Sequence, residues 1–395
     1  MLTSLALIFL SGLLLSSIFV KLKLPGLLGM LISGVILGPY ALNLIDGSIL
    51  NISADLRQLA LIIILIRAGL SLNINDLKKV GRPAILLCFV PACFEIAAMI
   101  FFAPKILGIT ILDAAIMGSV VAAVSPAVVV PRMIKLIETR RGTDKSIPQL
   151  IMAGASVDDV FVIVLFTSFT SMASGGNISL LYFVNIPLSI VLGVAAGLFF
   201  GFVLSMFFKK VHIRDSIKVI ILLSTGIMMI MLEHALANKV AFSGLLAVMS
   251  VGISMLRFSP VLAERLSAKF SKLWVAAEII LFVLVGATVD INFALAAGGW
   301  TIVLLFLVLI FRMIGVFVCL LQTTLNRRER LFCMIAYIPK ATVQAAIGGI
   351  PLAMGLGCGN IVLTVAVLSI LITAPLGALG IDMTCGRFLK QDRNT

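Results

Sequence analysis

Two adjacent carboxylates, Asp158 and Asp159, stand in the run Ala155-Ser156-Val157-Asp158-Asp159-Val160-Phe161, inside an otherwise apolar stretch. Neighbouring positions on a helix lie about 100° apart around its axis, so the two side chains cannot both be turned away from the protein interior. Low dielectric disfavours the charged form of a carboxyl group. A carboxyl so placed can hold a proton in one state and a desolvated monovalent cation in the other. The alternative is a structural pair neutralised by partners such as Lys340.

Arg67, Glu95, Glu278, Arg312 and Lys340 also fall within apolar blocks. A charge at bilayer depth costs about 2.5 to 3.5 kcal/mol on insertion scales, so each such residue needs a reason. Glu95 and Arg312 suit a structural ion pair that satisfies both charges. Lys340 follows Pro339, where a cation can offset the carbonyl ends of half-helices aimed at the centre. Glu278 and Arg67 read as structural. The six cysteines lack CxxC spacing and nearby histidines, which argues against a disulfide framework and a metal site. His212 and His234, the two histidines, lie near segment ends, which disfavours a zinc enzyme or a serine hydrolase.

The elements that would position these groups are membrane helices. Hydrophobic residues make up 61% of the 395 and charged ones 12%, about half the charged fraction of a soluble domain. The apolar residues gather in blocks of about 17 to 28, the length a hydrocarbon core demands of a helix. Thirteen blocks are expected, at about 2–20, 24–40, 56–74, 83–103, 109–134, 148–173, 180–208, 217–237, 240–257, 273–290, 299–322, 331–356 and 360–383. The first has no basic residue before it and no small-residue cleavage site after it, and reads as a helix, not a removable signal.

Most of the 30 Lys and Arg residues fall after odd-numbered blocks or in the tail, as with Lys21, Lys23, Lys78, Lys79, Arg82 and the stretch from Arg132 to Lys145. The opposite side carries Arg57, Lys105 and Lys239. The net charge of +13 is therefore a topology signal and not a nucleic-acid patch. With positive residues inside, the N-terminus is expected outside and the C-terminus in the cytoplasm.

Thirteen blocks divide into six, a linker at 180–208 and six, which is the arrangement of inverted repeats in secondary transporters. The fifth contains Val124-Ser125-Pro126-Ala127 and the twelfth Ile338-Pro339-Lys340-Ala341-Thr342. A proline inside a helix removes a donor and clashes with the preceding turn. Broken backbone at membrane depth is tolerated where it is buried in protein or lines a wet cavity. Two such breaks in matching segments point to a substrate site, the alternative being a pair of simple kinks.

These motifs resemble those of the monovalent cation:proton antiporter superfamily. The tandem acid, the Ser125 to Pro131 break and the Glu95 and Arg312 pair all fit. The run Pro339-Lys340-Ala341-Thr342-Val343-Gln344-Ala345-Ala346-Ile347-Gly348, the later Leu368 to Pro375, and Arg67-Ala68-Gly69-Leu70 are similar in particular to the NHA branch of sodium/proton exchangers. The likeness runs over roughly residues 25–385. It implies a homodimer with a dimerisation half (about 1–80 and 217–290) and a mobile core half (about 83–173 and 299–383) holding two crossed, discontinuous helices. It also implies that Asp159 is the main carrier and Asp158 its neighbour. Ser125 stands where many relatives have an acid, a departure shared by the NHA branch. Tandem aspartates resemble the electrogenic members and the Glu95 and Arg312 pair the electroneutral ones.

The expectation is an all-α polytopic transporter, not an enzyme, that exchanges Na⁺ or Li⁺ for H⁺ by alternating access. Asp159 would bind the cation with help from Asp158, Ser156, Thr342 or carbonyls at the breaks. Its partners would be monovalent cations, protons, lipid and a second copy, with no cofactor and no nucleic acid. The expected location is a plasma membrane, the inner membrane of a bacterium. K⁺/H⁺ exchange is the rival, disfavoured because no nucleotide-binding domain follows the last block. A sodium-coupled symporter, a channel and an intramembrane hydrolase stand further off.

Overall fold

The computed structural model describes residues 1–71, 81–175, 180–211, 213–236, 242–290 and 298–391. Lys78, Lys79, His212 and Lys239 lie outside the described residues. In chain order the helices are α1 (Leu2–Lys21), α2 (Gly26–Leu37), α3 (Gly47–Asn51), α4 (Ser53–Ser71), α5 (Arg82–Leu87), α6 (Val90–Leu107), α7 (Ile111–Val121), α8 (Pro126–Glu138) and α9 (Ile147–Gly175). They continue as α10 (Leu180–Lys210), α11 (Asp215–Leu236), α12 (Gly244–Phe258), α13 (Pro260–Ala287), α14 (Gly298–Cys319), α15 (Arg327–Ala336), α16 (Thr342–Ile347), α17 (Ile350–Ala353) and α18 (Gly359–Phe388).

The described residues contain no strand, only one isolated bridge between Arg141 and Gln391. Nine helical spans among them are long and apolar enough to cross a membrane. The protein is a multi-pass, all-helical membrane protein. An apolar chain has no other way to satisfy its backbone in lipid short of a closed barrel.

Three boundaries differ from the sequence expectation. The block at 83–103 divides at Cys88 and Phe89, just before Pro91, which sits at the start of α6. The block at 273–290 begins instead at Pro260, because Glu264, Arg265, Lys269 and Lys272 continue the helix with exposed side chains; charge ends an apolar run but not a helix. The block at 331–356 divides into α15, α16 and α17, with Gly355 in a left-handed conformation (φ 71°) after the last.

The chain falls into two compact units. One comprises Met1–Asn51, Asn73–Phe169 and Phe282–Thr395; the other comprises Ile52–Leu72 and Thr170–Leu281. Within the second, α10 and α4 both pack on α12 through small residues. A Cβ on Gly197 would lie 2.3 Å from the Ala247 carbonyl oxygen, and one on Gly69 would lie 2.2 Å from that of Met249. Such backbone approach is the usual means of helix association where lipid offers no hydrophobic drive. Glu278 lies within Coulombic range of Arg67 in this unit.

The first unit holds both proline breaks. Its core gathers Leu87, Val124, Ile151, Ala155, Val316, Phe332 and Tyr337 from α5, the first break, α9, α14, α15 and the second break. The breaks are thus packed against four helices and shielded from lipid.

Candidate functional site

The helix formed by Ile111–Val121 stops at the small and β-branched run Ala122-Ala123-Val124, and Pro126 starts α8 as its first residue. Proline lacks the N–H that a first helical position leaves unpaired, so it is well suited to start a helix. In the second break α15 ends at Ala336, Tyr337 to Ala341 lie outside helix around Pro339, and α16 begins at Thr342. The breaks meet at the Ser125 N–H, which donates to the Pro339 carbonyl at 2.8 Å. The Lys340 N–H donates to Thr373 Oγ1 of α18 at 3.0 Å.

A helix that stops inside protein leaves carbonyls without partners and a partial negative charge. At the end of α7, side chains from elsewhere satisfy them. Lys340 Nζ donates to the Val121 carbonyl at 2.6 Å. Gln344 Nε2 donates to the carbonyls of Val121 and Ala123 at 3.1 and 2.8 Å. Arg312 Nη1 donates to the Ala122 carbonyl, and Arg312 Nε donates to the Tyr337 carbonyl in the second break at 3.0 Å. The buried N–H of Val124, left free by the break, in turn donates to Asp158 Oδ2 at 2.9 Å.

The charged groups form one buried network. Arg312 Nη1 lies 3.0 Å from Glu95 Oε2, and Arg312 Nη2 lies 2.8 Å from Asp158 Oδ2. Lys340 Nζ lies 2.7 Å from Glu95 Oε1. Glu95, Arg312 and Asp158 are fully buried and Lys340 nearly so. The sequence offers Lys340 as a partner for the aspartate pair; the structure gives Asp158 to Arg312 and Lys340 to Glu95. The guanidinium fork reaches an acid on each side while also serving two carbonyls, which a single ammonium nitrogen cannot do.

Asp159 stands apart. It is half-buried. Among the described residues no ion pair reaches it, and its Oδ1 has no hydrogen-bond partner. Ser125 Oγ and Gln344 Oε1 are also buried without a partner. Thr342 is buried at the start of α16, and among the described residues no hydrogen bond joins it to either aspartate. Ser156 lies on α9, but its side chain is outside the described residues. Gln344 and Tyr337 were not singled out from the sequence. Their signal was position, since each falls within five residues of Pro339.

Among the described residues no cluster of three or more His, Cys, Asp or Glu side chains could hold a metal ion. Glu95 and Asp158 are paired with Lys340 and Arg312, whereas the adjacent Asp159 has no cationic partner among the described residues.

Residues 5–385 match the family described as sodium/hydrogen exchanger, transmembrane. The chain belongs to the sodium/hydrogen exchanger family. Family members named sodium/hydrogen exchanger 9B2 resemble it: the mouse protein is 32% identical over 94% of this chain and 70% of its own length. The human protein is 32% identical over 93% and 70%. The frog protein, from Xenopus tropicalis, is 33% identical over 87% of this chain and 65% of its own length, so the chain spans about two thirds of these relatives. Among solved structures, the sodium proton antiporter MjNhaP1 from Methanocaldococcus jannaschii at pH 8 superimposes with a TM-score of 0.83, covering 98% of each chain at 18% identity. That likeness shows a shared fold. Membership makes this exchanger a cation/proton antiporter.

Proposed function

We propose that the protein exchanges Na⁺ or Li⁺ for H⁺ by alternating access, with Asp159 carrying proton and cation in turn. The observation that carries this is the charge count at the breaks. Glu95 and Asp158 have cationic partners within 3.0 Å, whereas Asp159 has none among the described residues. An unpaired buried carboxylate is costly. It relieves that cost by taking a proton or a cation, and the two are therefore mutually exclusive ligands.

Asp158 then acts as a neighbour whose charge is held by Arg312 and the Val124 N–H. Buried oxygens without a partner, those of Ser125 and Gln344, are available to complete a desolvated cation's shell. Small ions suit such a site because they gain most from close oxygen contacts. Alternating access requires the site to meet each side in turn, and inverted repeats with thirteen crossings would supply the two related halves.

The test is proton flux, reported by a pH dye, in proteoliposomes on addition of Na⁺, Li⁺ or K⁺. Wild-type protein should respond to Na⁺ and Li⁺, and Asp159→Asn should lose the response. An Asp159→Asn protein that exchanged at the wild-type rate would overturn the assignment.

A further inference from the structure

The exchange reading leaves Tyr337 without a part, although the tyrosine borders the network at Arg312. It is 1% exposed, and its hydroxyl is buried with no hydrogen-bond partner among the described residues. A buried phenol without a partner is uncommon, since tyrosine usually reaches one. Its carbonyl accepts from Arg312 Nε at 3.0 Å, and the Arg312 guanidinium lies 5.7 Å from the centre of its ring. Tyr337 thus holds the same arginine that binds Asp158.

The hydroxyl occupies a notch on α9. A Cβ built on Gly154 would fall 2.0 Å from it, so only glycine leaves room there. Gly154 precedes Asp158 by four residues, which puts the two on one face of the helix about 6 Å apart along the axis. Asp158 is itself half-satisfied. Its Oδ2 accepts from Val124 N and Arg312 Nη2, while Oδ1 is buried without a partner. A lone buried donor and a lone buried acceptor therefore lie one helical turn apart, with the Arg312 side chain bound to both residues. The titratable groups facing the phenol are Asp158 on α9, Cys88 after α5, and Arg312 and Cys319 on α14; Glu95 and Lys340 stand behind Arg312.

We propose that Tyr337 is a positioning residue for exchange, whose hydroxyl donates to Asp158 Oδ1 in contact or through one water and so holds Asp158 ionised beside the carrier. The inference rests on the exchange reading above. A donor to a carboxylate favours its charged form. Tyr337 acts through Asp158 and Arg312 and does not itself touch the ion.

The test compares wild type with Tyr337→Phe, which keeps the ring over Arg312 and the carbonyl contact and removes only the hydroxyl. In proteoliposomes the pH at which exchange sets in should move upward by about one unit, the size expected for one lost hydrogen bond to a charged group. The apparent KM for Na⁺ at fixed pH should rise several-fold. A second measurement stands if the variant does not turn over. The infrared stretch of protonated Asp158, identified by its loss in Asp158→Asn, should titrate at higher pH in Tyr337→Phe. A tyrosine that merely fills space would leave the pH profile, KM and infrared titration unchanged, and that result would overturn the inference. Absence of exchange in wild type would instead sink the exchange reading, and the infrared titration would still decide the part played by Tyr337.

Discussion

Arg312 makes more polar contacts than any other side chain at the site, reaching Glu95, Asp158 and the carbonyls of Ala122 and Tyr337. Truncating it leaves two buried acids with one cation between them, and breaking a buried pair in this way costs about 3 to 5 kcal/mol. Arg312→Ala should therefore lower the melting temperature in detergent sharply. Arg312→Lys should fall between the two, because an ammonium keeps the charge but not the fork. A melting temperature for Arg312→Ala equal to wild type would mean the network does not hold the core. The pairing of Glu95 with Arg312 was legible in the sequence, since two opposite charges at membrane depth must be satisfied. The further reach of Arg312 to Asp158, 154 residues away, was not. With two acids and two bases buried together, the choice of partner depends on where the breaks bring Val124 and Tyr337, and no spacing rule contains that. Gln344 carries no charge to mark it, and its one signal in the sequence is its place five residues after Pro339, although its amide serves the same orphan carbonyls as Lys340.

At the scale of elements, the two breaks are held by close contact as well as by charge. A Cβ on Gly377 of α18 would lie 2.3 Å from Cγ, 2.5 Å from Cδ and 2.9 Å from the nitrogen of Pro339. Those atoms belong to a ring fixed in the second break and cannot step aside. Gly377→Ala should thus displace the break, with an overpacking cost of about 1 to 3 kcal/mol, and reduce exchange along with thermal stability. Gly47→Ala at the start of α3, where a Cβ meets nothing within 4 Å, is the matched control and should behave as wild type. Equal loss in both would show that the effect is a general one of replacing glycine. The breaks themselves could be read from Pro126 and Pro339, because a proline at membrane depth must interrupt or bend the helix that contains it. The polar extension at the start of α13 could not, because its charged residues hid a continuing helix. The division at Cys88 and Phe89 could have been found from Pro91 alone.

For the whole molecule, the charge count at the breaks governs how exchange responds to voltage. The network pairs two acids with two bases, Asp159 beside it adds a third acid, and Asp158 is committed to Arg312 in a contact of 2.8 Å. One negative charge is then open to ligands, and it is neutralised equally by one proton or by one monovalent cation. If both loaded states cross the membrane with the same net charge, one Na⁺ leaves for each H⁺ that enters and no net charge moves. The family resemblances point both ways on this, the tandem acid one way and the Glu95 and Arg312 pair the other; the observed pairing of Asp158 favours the second. A transported net charge would be worth about 2.3 kcal/mol per 100 mV, a bias of about 50-fold in the equilibrium gradient. In proteoliposomes clamped with K⁺ and valinomycin, the final Na⁺ gradient set by an imposed pH difference should therefore be the same at 0 mV and at a potential of about 100 mV. A gradient that shifts with potential would mean that Asp158 releases Arg312 during the cycle and takes up a second proton, which would make the Arg312 contact a switch and not a fixed strut.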